Sequence, residues 1–524
     1  MKLLYLSEGI IIIFKPVTAL ILGLFCIILV SGCIMASYDQ TPAAGDLDKT
    51  IPAFDLYTEE LFNKSGVPGM AVAIIQNDTV VYEKCFGVIN ITSQVPVNAD
   101  TRFQLASISK SFTTATIASM VGTGDLSWDE RAAGINPDLQ FSDPWVTEHV
   151  TIRDLLSHKT GLPEYAGDEL LEFGYNRSDL IYKIRYLALT GEFRSSYAYS
   201  NLGITAAAET AAIKAGMPWE ELIGERIFIP AGMTNSSAVF SDFAEAGNHA
   251  DTYVVMNGVA EQSSVLYNDD VNSPAGGVSS TLNDMIRYLT LQLNDGKIDG
   301  VQIIDPAALS ETHKAQNIRL SDYVSIEAYG LGWDVLSADG RVKIEHGGDL
   351  TSGVSTLITF YPEEGVGIVV LTNGFPGGHL LKKAVVRGWE DLYFTGSVRN
   401  DWYTELGEQM NAAMQPGASI LSPYTTLPEA PENASSPRAL ESYCGSYYQD
   451  YYGTMTVKEE DGGLALYFGP AEMKYVVTPY DGDVFYEPLS GTGVSFTFGS
   501  DGTVQSVNVT RLDLPGRTGV FTRV

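Results

Sequence analysis

Leu105-Ala106-Ser107-Ile108-Ser109-Lys110-Ser111-Phe112 is the stretch on which the reading of this chain turns. Apolar and small residues continue from it to Met120, the composition of a buried central helix. Ser107 and Lys110 are three residues apart and therefore share one helix face. A serine at a helix N-terminus meets free backbone N–H groups and the positive end of the dipole, which both favour a developing oxyanion. Burial would depress the lysine pKa and make it a usable base. Of the sixteen lysines, Lys110 alone has a serine three residues before it. Composition predicts about one such pair by chance, so the motif needs support from elsewhere.

That support lies downstream. Tyr199-Ser200-Asn201 follows about ninety residues on, and His346-Gly347-Gly348 comes about 150 residues later. Other hydrolytic chemistries lack their motifs. The six histidines, at 149, 158, 249, 313, 346 and 379, form no H-E-x-x-H or H-x-H spacing, so no metal is expected. The Gly-x-Ser-x-Gly elbow and the phosphate-binding Gly-x-x-x-x-Gly-Lys loop are also absent, and no cofactor is expected.

Outward from this centre, Gly69 to Ile75 and Thr79 to Phe86 read as two strands joined at Asn77-Asp78. Ile51 to Lys64 has helical periodicity, and strand patterns return at 341–345, 354–361 and 365–371 before a helix at 382–395. Strands bracketing a helical middle predict an α+β domain, a mixed sheet with helices on its faces, over residues 51–400. Five prolines between Pro416 and Pro437 place a linker at 401–437. Residues 438–524 alternate apolar and polar side chains between Gly and Asp-Gly turns, which predicts a small antiparallel β-barrel or sandwich.

The 524 residues carry 64 acidic and 32 basic side chains, a formal net charge of −32. That surface repels phosphate backbones and excludes a nucleic-acid partner. With 45% hydrophobic residues, disorder over most of the length is excluded too. Residues 1–33 read as an export leader: Lys2 and Lys15 precede an apolar run from Val17 to Val30. The run ends Leu29-Val30-Ser31-Gly32-Cys33, which resembles a lipobox with Cys33 as the lipidated residue; an uncleaved anchor is the alternative. Either one tethers the chain to a membrane at the cell surface through residues 34–50. Cys85 and Cys444 beyond the leader are too few for a disulfide framework.

Taken together, the three motifs are similar to those of the serine β-lactamase and penicillin-binding-protein superfamily, whose S-x-x-K, Y-x-N and K/H-x-G elements occur in this order. In detail the chain resembles the class C-like branch of DD-carboxypeptidases, D-aminopeptidases and esterases, over about Leu56 to Phe394. Thr151-Ile152-Arg153-Asp154-Leu155-Leu156-Ser157-His158, Pro274-Ala275-Gly276-Gly277 and Tyr329-Gly330-Leu331-Gly332-Trp333 carry the same resemblance. It implies Ser107 as acylated nucleophile, with Lys110 and Tyr199 sharing the general-base duty. Either the Tyr199 phenolate is favoured beside Lys110, or the pair relays one proton. Asn201 would hydrogen-bond the substrate amide and Lys110. His346 and Gly348 would contact substrate, His346 reaching its carboxylate or Tyr199. The oxyanion donors would be the backbone N–H groups of Ser107 and Asp349.

His346 departs from the Lys-Thr-Gly usual in β-lactamases. A neutral imidazole holds a carboxylate less well than a permanent cation, which points to a peptidase acting on D-residues or small peptides, then an esterase, then a β-lactamase. Leu440 to Tyr447 and Tyr452 to Val457 resemble a lipocalin-like domain found downstream of such hydrolases, implied to cap the site or to mediate oligomer contacts. The rival from another class is a non-catalytic binding or sensor protein, which leaves the complete motif set unexplained.

Overall fold

The computed structural model describes residues 45–524, apart from 265, 269, 322–324, 339, 414–430 and 489. The expected leader, Cys33 and most of the tether lie outside the described residues. Helix α1 (Leu47–Ser65) begins inside the segment expected as tether and ends at Gly66 in the left-handed region. Among the described residues, no helix is long and apolar enough to cross a membrane.

Eight strands form the main sheet: β1 (Gly69–Gln76), β2 (Thr79–Gly87), β3 (Asn317–Ser321), β4 (Ser325–Tyr329), β5 (Asp334–Ala338), β6 (Arg341–Leu350), β7 (Val354–Tyr361) and β8 (Val366–Thr372). Their order is β2-β1-β8-β7-β6-β5-β4-β3, with every neighbouring pair antiparallel. Strand β6 runs five residues beyond the expected strand and carries the whole His-Gly-Gly motif.

The central strands are apolar on both faces because both faces are covered. Period-2 alternation sends Ala71, Ala73 and Ile75 of β1 into one core, with Phe112 of helix α2 (Ser109–Thr123) and Leu289 of a helix over Leu282–Leu293. Met70, Val72 and Ile74 enter a second core with Phe54 of α1 and Leu381 and Trp389 of a helix over Gly377–Thr395. Helix α2 is buried on every side as far as Met120, so it presents no amphipathic stripe.

A further helix, Trp402–Ala413, occupies the start of the segment expected as linker. Its Trp402 indole N–H donates to Asp391 at 2.8 Å, which anchors it to the preceding helix. Beyond residue 430, eight strands from Gly445–Gln449 to Val520–Arg523 close into an antiparallel barrel.

The barrel docks on the larger domain around residues 168–190. Phe173 stacks on Phe468 with centroids 5.0 Å apart. The Tyr175 hydroxyl donates to the Tyr452 carbonyl at 2.7 Å. In the tight turn Leu514–Arg517, the Gly516 carbonyl accepts from the Ala188 N–H at 2.9 Å. Arg517 in that turn approaches the Glu169 carboxylate to 2.7 Å, with side chains only 3% and 14% exposed. A pair this desolvated is costly to break from one side, since the survivor keeps a buried, uncompensated charge. Arg517→Met is therefore expected to lower stability by about 3–5 kcal/mol in urea denaturation, and adding Glu169→Gln to recover most of that loss.

Candidate active site

The turn before α2 is built around a strained residue. Ala106 has φ +50°, the left-handed region that costs an L-residue about 1–2 kcal/mol. Flanking hydrogen bonds hold it: the Leu105 N–H donates to Val278 O at 2.8 Å, Ser109 Oγ to Ala106 O at 2.6 Å, and the Val278 N–H to Ser109 Oγ at 3.0 Å. Ser107 follows at the head of the helix. Lys110 Nζ, fully buried, donates to Ser107 Oγ at 3.0 Å and to Ala275 O at 2.8 Å. The Pro274-Ala275-Gly276-Gly277 phrase thus supplies a carbonyl to the lysine, a role with no signal in the sequence.

Tyr199 comes from the approach to helix α3 (Asn201–Ala215), which Ser200 caps by accepting from the Gly203 N–H at 2.9 Å. The Tyr199 hydroxyl donates to Ser107 Oγ at 2.9 Å, and Lys110 Nζ lies 4.8 Å from its ring centroid. Tyr199 is half-buried, and desolvation of its hydroxyl pushes the phenol well above its ordinary value. Of the two expected forms, desolvation disfavours the phenolate and leaves the phenol as the resting side chain. The relay remains.

Asn201 is anchored by a partner the sequence did not suggest. Its side-chain nitrogen donates to both oxygens of Asp168, at 3.2 and 3.0 Å. Burial and the adjacent Glu169 raise the Asp168 carboxyl to about 7, against the lowering pull of Asn201, Lys110 and Arg517.

His346 is 3% exposed and both ring nitrogens are engaged. Nδ1 lies 2.8 Å from Gly347 O, and Nε2 lies 3.0 Å from the Tyr329 hydroxyl. A carbonyl only accepts, so Nδ1 carries the hydrogen and Nε2 accepts from Tyr329. The expected contact with Tyr199 is replaced by one with Tyr329. Burial, and then the charge of Lys110, push the imidazole down to about 3, so it is neutral at physiological pH. His158 plays a supporting part: its Nδ1 accepts the Ser200 N–H at 3.1 Å, and its ring lies 4.8 Å from that of Tyr199. Trp333 is wholly buried in the core.

Gly348 is glycine for lack of space. A Cβ there would lie 2.1 Å from Leu105 O and 3.0 Å from the Ala106 Cβ. The adjacent Thr356 Oγ1 donates to Leu105 O at 2.7 Å. Strand β6 is thereby pressed against the turn that carries Ser107. The Asp349 side chain is held by Ser355 Oγ and Lys382 Nζ at 2.8 Å and His379 Nδ1 at 2.9 Å. Among the described residues, no cluster of three or more His, Cys, Asp or Glu could hold a metal ion.

Known proteins resemble this chain in family and in fold. The family profile described as Beta-lactamase matches residues 54–388, and one described as a domain of unknown function matches residues 429–521. An unguisins hydrolase of Aspergillus campestris is 24% identical over 500 residues, 90% of this chain and 91% of that protein. Penicillin-binding protein 4* of Bacillus subtilis is 27% identical over 335 residues, covering 60% of this chain and 70% of its own. A D-aminopeptidase of Brucella anthropi is 26% identical over 293 residues, covering 54% and 52%. In fold, the chain is similar to an octameric penicillin-binding protein homologue from Pyrococcus abyssi, with TM-score 0.56 and 18% identity over 88% of this chain and 98% of that one. Since the profile spans well over half of the sequence and Ser107 and Lys110 lie inside it, the chain belongs to the Beta-lactamase family and is a serine hydrolase of the β-lactamase and penicillin-binding-protein superfamily.

Proposed function

We propose that this hydrolase works through an acyl-enzyme on Ser107 and that its substrates are small peptides, D-residue peptides foremost. The observation that carries the reading is the convergence of Lys110 Nζ and the Tyr199 hydroxyl on one Ser107 Oγ, at 3.0 and 2.9 Å. As Oγ attacks the carbonyl carbon, its proton passes through the Tyr199 hydroxyl to Lys110, whose reactive form is the neutral amine. The same pair then protonates the leaving nitrogen as the C–N bond breaks. The backbone N–H groups of Ser107 and Asp349 receive the tetrahedral oxyanion; such a donor is worth about 3–4 kcal/mol of barrier. Water, deprotonated by the same pair, attacks the acyl carbon and frees Ser107.

The neutral His346 supports a peptidase over a β-lactamase. Both its nitrogens are committed within the protein, so no cation stands ready at that position for a substrate carboxylate. The D-aminopeptidase among the relatives favours the same class. We further propose export to the cell surface, with a lipid on Cys33 as the membrane tether.

Three measurements test these statements. Purified soluble chain is expected to hydrolyse D-alanine p-nitroanilide and short-chain p-nitrophenyl esters at least about 100-fold faster than nitrocefin, in kcat/KM, and Ser107→Ala to remove all three activities. Equal rates on nitrocefin would overturn the peptidase assignment. The second concerns Asp168, whose folded value near 7 lies above its ordinary 3.8. The folded state then holds more protons than the unfolded one between these values, so its contribution to stability is full at low pH and lost as pH rises toward 7. Asp168→Asn is expected to raise the Tm more at pH 8 than at pH 4. For the third, mass spectrometry of the membrane-extracted N-terminus is expected to find a diacylated Cys33; an intact Met1 would refute it.

A further inference from the structure

The strand that carries the proposed oxyanion donor also carries an electrostatic liability. Asp349 is an acid at the very residue whose N–H is to receive negative charge. An uncompensated carboxylate there would oppose the developing oxyanion.

The structure answers it with a buried lysine from another element. Lys382, on the helix over Gly377–Thr395, is 1% exposed. Its Nζ donates to the Asp349 carboxylate at 2.8 Å and to the Gly348 carbonyl at 2.8 Å. His379, one turn earlier on that helix, holds the other carboxylate oxygen. The Lys382 charge, first among the favourable partners against burial, keeps Asp349 ionised down to about 2.

The second bond matters most. Gly348 C=O and Asp349 N–H belong to one peptide unit. A cation on the carbonyl oxygen draws electron density through the amide and makes its N–H a stronger donor. It also fixes the plane of that peptide, and hence the direction of the donor.

We propose that Lys382 is a positioning residue for the oxyanion site: from behind strand β6 it polarises and aligns the Gly348–Asp349 peptide while neutralising the Asp349 carboxylate. It touches no substrate and acts through that one peptide. The inference rests on the acylation of Ser107 proposed above.

A merely structural lysine would cost stability and leave the chemistry of the folded fraction alone. The test removes the cation together with the acid it neutralises, in Lys382→Met/Asp349→Asn, so that no orphan charge remains; the backbone N–H at 349 is kept. Folded protein is quantified by near-UV circular dichroism. Steady-state kinetics use the best chromogenic substrate, and a phenylboronic acid, which forms a tetrahedral adduct on a reactive serine, reads donor strength. The expected result is a KM within about twofold of wild type, with kcat at least about 10-fold lower and a boronate Ki raised in parallel. If the methionine pair does not fold, Lys382→Gln/Asp349→Asn keeps a polar side-chain contact without the cation and is read the same way. Unchanged kcat and boronate Ki in a folded variant would overturn the proposal. Wild-type protein without Ser107-dependent turnover would overturn the acylation reading instead, so the two failures are distinguishable.

Discussion

The hydrogen bond from Thr356 Oγ1 to Leu105 O, with Gly348 pressed against the same carbonyl, joins the two halves of the site. One half is the turn that lifts Ser107 to the head of α2. The other is strand β6, tied to β7 along its length. They meet where any side chain at 348 would force them apart. The strained Ala106 backbone is tolerable only because this junction and the bonds through Ser109 and Val278 over-determine it. The fully buried faces of β7 and β8 serve that end, since a rigid sheet gives the strand a fixed place to stand.

The barrel is coupled to the site by a short chain of contacts. Arg517 pairs with Glu169, Glu169 is the neighbour of Asp168, and Asp168 anchors the amide of Asn201. The C-terminal domain is therefore part of the wall that holds Asn201, two residues from Tyr199. The docking bonds at Tyr175 and Ala188 keep the Leu514–Arg517 turn in register with that wall.

What the sequence revealed follows from how local each signal is. Ser107 and Lys110 share one helical turn, and Tyr199 with Asn201 share one helix start, so their spacing was legible. The α+β alternation and the Gly-punctuated barrel strands were legible for the same reason. Asp168 and Asn201 lie 33 residues apart, and Arg517 and Glu169 lie 348 apart. No periodicity links such pairs. Lys382 sits beside Lys383 with nothing in the sequence to mark a partner, yet the fold buries it against Asp349. The Tyr199 phenolate was a local inference from a neighbouring charge, and desolvation, a property of the whole fold, overrode it. The helix at Trp402–Ala413 was masked by the prolines that follow it, although Trp402 and Leu406 already have one-turn spacing.

The neutral His346 has a consequence for ionic strength. The chain carries a net charge of −32, and the His346 imidazole adds no positive charge to offset that field. An anionic substrate approaching the cleft is repelled over roughly the 8–10 Å Debye length of physiological salt, while an uncharged or cationic one is not. Under the proposed function, salt in the medium then takes part in substrate choice. In dilute surroundings the surface field favours uncharged and cationic molecules, and in brine that discrimination fades.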